Sequence, residues 1–405
     1  MSERPPLEVA EIVRTSVDAY EASYGLSADQ QKVISALLQC RTAALGGHVD
    51  ECGQCGQQRI SYNSCRNRHR PKCQGSQAAQ WLESQRSHLL PVPYAHVVFT
   101  LPRLLAPLAL QNPRTVYGLL FRAASQTLLE VASDPRHLGA RIGVLALLHT
   151  WGQKLDHHPH LHCVVPAGGL SLDGGGWVPC RRRFFLPVRV LRRVFRGKFL
   201  EFLGEAFAHD ELSFHGSLKP LSHETRFRTL LTEARRTEWV VYAKPPFGGP
   251  DHVLKYLARY THRVAISNRR LLSLHDEVVS FSYKDYARGH QLRTLRPQAL
   301  EFTRRFLMHV LPRGFVRIRR YGLLANAQRE RNLACCRESL GVGDPTTPSP
   351  PEETVPVQAG EVAQASEAPT VLCPVCGDVP MHRIETLPRL PRPGPGSVLA
   401  ARESG

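Results

Sequence analysis

Apolar residues recur along this chain with two different periods. Behind Ser27-Ala28-Asp29-Gln30, a capping box, Val33, Ile34, Leu37 and Leu38 fall on one face of a helix. Residues 77–90 read as helix again. Asn112-Pro113 puts an N-cap residue before a proline at the first helical position. Val116, Tyr117, Leu120, Phe121, Ala124, Leu128 and Val131 then form the stripe of the helix it starts. Leu191, Val194, Phe195, Phe199 and Phe202 predict another helix, whose opposite face is basic (Arg192, Arg193, Arg196). Two more are expected over residues 251–263 and 297–311. Runs of β-branched and aromatic residues predict strands at 94–101, 142–149, 161–166, 239–243, 264–266 and 278–283, with Pro245-Pro246 breaking the fourth. The second and third can pair as a hairpin. This alternation predicts an α+β core over residues 90–330.

The periodicity lapses twice. Residues 40–73 are rich in cysteine and show no clear period. Residues 344–370 are rich in Pro, Glu, Thr, Ser and Ala and poor in bulky apolar side chains, the composition of a disordered linker. That stretch leads to Cys373-Pro374-Val375-Cys376-Gly377, half of a metal-binding ribbon that His382, or Cys335 and Cys336, could complete. The expected organisation is an N-terminal helix and zinc-binding domain (1–89), a main domain (90–340), and a disordered Pro-rich tail carrying the Cys-x2-Cys half-motif (341–405).

Charge narrows the partners. In 405 residues, 52 Lys+Arg face 35 Asp+Glu, a net +17, and the pI is near 9.7, a balance that points to nucleic acid. The N-terminal residues have no apolar signal-peptide core, and no apolar run approaches the ~20 residues of a membrane span, so an intracellular, cytoplasmic protein is expected. Eleven cysteines in such a compartment suggest metal rather than disulfides.

Two constellations carry the chemistry. The first is zinc-like. Cys52-Gly53-Gln54-Cys55-Gly56 is a knuckle, and Cys65, His69 and Cys73 follow, giving five candidates for four places in a structural Zn²⁺ site, with His48 to spare. Its surroundings are basic, so it can also grip DNA phosphate. The second lies at Asp156-His157-His158-Pro159-His160-Leu161-His162-Cys163. His160 and His162 alternate around Leu161, so on a strand both imidazoles leave one face and form a half-site for a divalent metal. Gln153, His149 and His157 are candidates for a third ligand. Tyr256 and Tyr260 are four apart, which puts two phenols on one helix face beside a cationic ridge of Lys255 and Arg259. A metal-polarised phosphodiester attacked by a tyrosine uses all of these parts and needs no ATP. The absence of a Walker-type phosphate loop agrees.

Several stretches resemble one family. Tyr62-Asn63-Ser64-Cys65-Arg66-Asn67-Arg68-His69, His149-Thr150-Trp151-Gly152-Gln153 with the histidine strand, and Tyr256-Leu257-Ala258-Arg259-Tyr260-Thr261-His262-Arg263 are similar to the two-tyrosine HUH rolling-circle insertion-sequence transposases with an N-terminal zinc-binding domain (the IS-ninety-one group). The likeness runs over residues 24–341. It implies an HUH endonuclease-like core, an antiparallel sheet flanked by helices. It implies Mg²⁺ or Mn²⁺ on His160 and His162, and Tyr256 and Tyr260 as nucleophiles on single-stranded DNA at transposon ends and target. It also implies a 5′-phosphotyrosine intermediate, structural Zn²⁺, and a bacterial-type, nucleoid-associated location. The basic ridge and helix face make Lys255, Arg259, Arg263, Arg192 and Arg193 the DNA-binding candidates. One position departs: Arg70 stands where the family usually has a cysteine. Two other readings use some of the same residues: a zinc-dependent DNA-binding protein with an inert core, and a metallohydrolase that activates water.

Overall fold

In the computed structural model, which describes residues 7–73, 75–181, 184–250, 252–253, 264–342 and 371–391, the histidine segment is the central strand of a five-stranded antiparallel sheet. The chain opens with helices α1 (Val9–Tyr24) and α2 (Ala28–Gln39), the hairpin strands β1 (Gly47–Cys52) and β2 (Gln58–Tyr62), and α3 (Gly75–Arg86). Then come β3 (Tyr94–Thr100), α4 (Ala106–Gln111), α5 (Pro113–Ser133), β4 (Ala140–Arg141), β5 (Gly143–Trp151), β6 (His157–Pro166), β7 (Gly168–Ser171) and β8 (Trp177–Pro179). They are followed by α6 (Val188–Ala208), α7 (Glu224–Arg236), β9 (Val241–Phe247), β10 (Leu271–His275), β11 (Val278–Asp285) and β12 (Gln291–Leu295). The last elements are α8 (Ala299–Leu307), β13 (Ile318–Gly322), α9 (Arg329–Ser339) and β14 (Met381–Leu387). The predicted helix over 251–263 and its residues Lys255, Tyr256, Arg259, Tyr260 and Arg263 lie outside the described residues, as does the linker 344–370.

The large sheet runs β13-β5-β6-β3-β9. Its period-two pattern gives it two different faces. Leu161, Cys163 and Val165 of β6, with Phe99, Val97 and Ala95 of β3 and Leu148, Ala146 and Val144 of β5, pack against α4, α5 and α6 in the main core. Phe99 meets Phe195 of α6 at 4.8 Å, and Phe195 and Phe199 close on Trp239. On the opposite face, Leu145, Val164 and Tyr94 form an apolar half covered by Leu333 and Cys336 of α9 and by Val253. The other half of that face carries His96, Thr100, His149, His160 and His162.

A second core joins the first two helices to residues 264–310. α1 and α2 pack on α8, on the sheet β10-β11-β12, and on Val264, Ala265 and Ile266. Ser16 Oγ and Thr303 Oγ1 share a buried hydrogen bond of 2.8 Å there. A division at residue 89 therefore separates stretches of chain but not cores.

Several local expectations change. The capping box at Ser27 forms as predicted. Asn112 precedes α5 but does not cap it; its amide instead donates to Ser213 O (2.9 Å) and accepts from Ser213 N (2.7 Å). β9 continues through Pro245 and Pro246, because it is an edge strand and the missing N–H groups can face away from the ladder. Residues 264–266 are a buried irregular turn, with Ala265 at φ 56, rather than a strand. The predicted disordered tail is folded over residues 371–391, where β14 pairs antiparallel with β1.

Candidate active site and metal centres

Register decides which histidines meet. On β6, His160 lies opposite His149 of β5 and Thr100 of β3, while His162 lies opposite Leu147 and Val98. Alternation turns His160 and His162 to the face away from the main core, as the sequence implies, and Leu161 packs into that core fully buried. The His160 and His162 Nε2 atoms are 3.1 Å apart. Two nitrogens at about 2.1 Å from one ion stand about 3.0–3.4 Å apart. His149 completes the group: one ring nitrogen of each of the three lies within 4.8 Å of the others.

Hydrogen bonds on the far side of two rings prepare them as ligands. His160 Nδ1 donates to His158 O at 2.7 Å, which leaves the lone pair on Nε2. His162 Nδ1 is 2.9 Å from His96 Nε2, and the two rings stack with 5.2 Å between centroids. Burial holds His160 neutral down to about pH 4. His162 is pushed well below the ordinary range by burial and then by the neighbouring His149, His160 and His96. Neutral rings are the form that binds metal.

The other third-ligand candidates turn elsewhere. His157 Nε2 is bonded to the buried Tyr117 hydroxyl at 2.8 Å, on the helical side of the sheet. Gln153 accepts through Oε1 from the backbone of Lys284 (3.4 Å) and through its carbonyl from Arg270. Arg192 and Arg193 lie on α6, which packs on the Phe99 face, so they sit across the sheet from the histidines.

The expected five-candidate zinc site does not exist as one site. Cys52 and Cys55 group with Cys373 and Cys376, whereas Cys65 and Cys73 group with Cys40. The hairpin turn after β1 carries the first pair away from the loop that holds Cys65 and Cys73. His69 belongs to neither cluster. It is buried, its Nδ1 is 3.1 Å from Asn67 Oδ1, and its ring lies edge-on to Phe306. His48 instead faces Asp50 at 3.3 Å. In the three-cysteine group, Cys73 Sγ is 3.3 Å from Cys40 Sγ and 4.0 Å from Cys65 Sγ. Hydrogen bonds from Cys40 and Cys65 hold Cys73 as a thiolate, far below the usual thiol range. Arg70 is turned away into a buried pair with Glu8 (2.6 Å), which Lys72 also reaches (2.7 Å).

Comparison with known proteins places the chain in a family. Residues 143–331 match the family model described as "Putative transposase", and residues 12–101 match the one described as "Transposase zinc-binding domain". A Sinorhizobium fredii protein named "Putative transposase y4qJ" is 52% identical over 380 residues, which cover 93% of this chain and 95% of that protein. The chain belongs to the IS91-type transposase family. The transposase of insertion sequence element IS801 from Pseudomonas savastanoi pv. phaseolicola is 30% identical over 328 residues, 79% of this chain and 76% of its own. No solved structure matches the chain. This transposase is thus a DNA-acting enzyme with a zinc-binding N-terminal region and an α+β core. Among its described residues, no helix is long and apolar enough to cross a membrane.

Two residues, His96 and Cys40, escape motif reasoning. His96 sits at an alternating position of a strand read only as β, and its role appears once β3 is known to lie beside β6. Cys40 is 25 residues from Cys65 with no metal-motif spacing between them. Cys373 and Cys376 were legible as a half-site, but their partners were not.

Proposed function

We propose that this transposase nicks and rejoins single-stranded DNA at transposon ends through tyrosine attack and a covalent 5′-phosphotyrosine. The observation that carries the reading is the convergence of His149, His160 and His162 on the sheet face not covered by α5 and α6. Val253, three residues before Tyr256, is buried on that same face against the group containing Tyr94, Leu145 and Val164.

His149, His160 and His162 would hold the divalent ion. Three imidazoles fit a transition ion better than Mg²⁺, which prefers oxygen donors, so Mn²⁺ is the first ion to test. When bound, the ion supplies positive charge to a phosphodiester oxygen. Tyr256 or Tyr260 acts as nucleophile: its phenol gives a proton to water, the oxygen bonds to phosphorus, and the bond to the 3′ oxygen breaks, that oxygen taking a proton from water to leave a 3′-OH. Lys255, Arg259 and Arg263 favour the phenolate, whose free pKa is about 10, and hold phosphate. One phosphoester replaces another, so the reverse step rejoins DNA without ATP, and the second tyrosine allows a second cut while the first end is held. Arg192 and Arg193 would meet DNA only beyond this site.

The test uses end-labelled single-stranded transposon-end DNA with Mn²⁺ on a denaturing gel. A labelled protein–DNA adduct, lost in the Tyr256→Phe, Tyr260→Phe double variant, is the expected result. Cutting without an adduct would instead indicate a water-using hydrolase, and retarded but uncut DNA an inert binder. His160→Ala and His162→Ala should each abolish cutting while DNA affinity stays within a few-fold, because phosphate contacts dominate binding. Normal cutting rates in both would remove the metal assignment.

A further inference from the structure

The two Cys-x2-Cys segments of this chain lie more than three hundred residues apart in sequence, yet they build one hairpin-supported cluster. Cys52 ends β1 and Cys55 lies in the turn before β2. Cys373 and Cys376 lie in a turn just before β14, and β14 pairs with β1 so that Met381 stands opposite Cys52. The result is a three-stranded sheet, β14-β1-β2, with a cysteine turn from each end of the chain at one edge.

The two turns have the same backbone form. Each second cysteine is followed by a glycine in the left-handed region, Gly56 at φ +68 and Gly377 at φ +81. Each of those glycines donates its N–H to the carbonyl of the first cysteine, Gly56 to Cys52 and Gly377 to Cys373, both at 2.9 Å. The N–H of each first cysteine closes its own hairpin, Cys52 to Gln57 O (3.0 Å) and Cys373 to Val379 O (2.8 Å). Such turns aim two thiolates at one point, and here the two points coincide. Cys52 Sγ is 3.9 Å from Cys376 Sγ and Cys55 Sγ is 3.6 Å from Cys373 Sγ, with all four sulfurs within 4.8 Å of one another. Four thiolates about 2.3 Å from one tetrahedral ion stand about 3.8 Å apart. A disulfide needs about 2.05 Å, so the spacing is that of a metal site.

We infer that Cys52, Cys55, Cys373 and Cys376 bind one structural Zn²⁺, and that this ion clamps the C-terminal segment onto the N-terminal zinc-binding region. The apolar support around the cluster is small: Cys52, Cys373 and Met381 are buried with Val371, Cys376 and Val379 beside them. Apart from the β1–β14 ladder, this small apolar cluster is what holds the C-terminal segment, so the ion supplies much of the stability of the joint. The site is four-coordinate and closed, which makes it structural rather than catalytic. It is separate from Cys40, Cys65 and Cys73, and does not depend on the tyrosine mechanism.

The test counts zinc in the purified full-length protein by elemental analysis. Cys373→Ser, Cys376→Ser should lower the content by one zinc per chain, and Cys52→Ser, Cys55→Ser by the same one. The quadruple variant should lose no more than either pair. Wild-type zinc content in Cys373→Ser, Cys376→Ser, or a two-zinc loss in the quadruple variant, would overturn the site. A second measurement leaves every cysteine in place. With a protease site inserted between residues 342 and 371, the cleaved tail should co-elute with the body in zinc and separate after treatment with 1,10-phenanthroline. Separation with zinc still bound, or retention after its removal, would overturn the clamp.

Discussion

At the scale of single residues, the histidine face depends on proton positions as much as on distances. His160 donates through Nδ1 to His158 O, which leaves its Nε2 a lone pair facing His162 Nε2 at 3.1 Å, and His162 is engaged through Nδ1 by His96. His149→Ala keeps that pair but removes the third nitrogen. It should raise the Mn²⁺ concentration for half-maximal cutting by about 10–100-fold, the usual range for losing support at a metal site. An unchanged Mn²⁺ titration would remove His149 from the site. Glu8 is the residue to test in the N-terminal region, because it is buried and answers both Arg70 and Lys72. Glu8→Ala leaves the buried guanidinium uncompensated and should cost about 3–5 kcal/mol in denaturant unfolding. This pair also shows what Arg70 does: it anchors the loop by charge.

At the scale of elements, β6 is positioned by what lies beneath it. Phe99, Phe195, Phe199 and Trp239 form an aromatic layer between the sheet and α6, and Trp239 Nε1 is tied to Ala234 O at 2.8 Å. Phe195→Ala should destabilise the protein by about 3–5 kcal/mol, since the sheet and helix cannot collapse fully into the space. A loss below about 1 kcal/mol would mean that the layer repacks freely. The strands and long helices of this core were largely legible, because their apolar residues repeat at two or near 3.6. The errors fell at edges. Two prolines end a strand only if their missing N–H groups face a neighbour, and β9 has no partner beyond β3 in the sheet. Residues 264–266 are apolar because they are buried between α1, α2 and α8, which no local pattern distinguishes from a strand.

At the scale of the molecule, the N-terminal region meets distant parts of the chain twice: α1 and α2 share a core with α8, and β1 pairs with β14. Two buried histidines lie near the first junction. His309 bonds Thr150 Oγ1 at 3.1 Å, and both His309 and His69 are depressed to about 3, in each case chiefly by burial. In the unfolded chain a histidine takes up its proton near pH 6.5. Above that value both states are neutral and these rings leave stability independent of pH. As pH falls below 6.5 the unfolded chain binds protons that the folded one refuses, so stability drops progressively towards about pH 3. The melting temperature of the metal-free protein should fall across that window, and His309→Gln should flatten part of the slope. A melting temperature constant from pH 6.5 to 4.5 would show that these rings are not buried neutral.

The sequence by itself determined the α+β class, the basic charge, the alternation that puts His160 and His162 on one face, and the presence of cysteine half-sites. Each follows from local spacing, which fixes the direction of a side chain relative to its neighbours in the chain. Only the tertiary structure decided which half-sites complete one another. Strand register selected His149 over His157 and Gln153 and brought in His96. The β1–β14 pairing joined Cys52 and Cys55 to Cys373 and Cys376, and left Cys65 and Cys73 to Cys40. The physical reason is common to both cases: a metal site is defined by a few ångströms in space, and spacing in sequence reports that distance only within a single turn or strand.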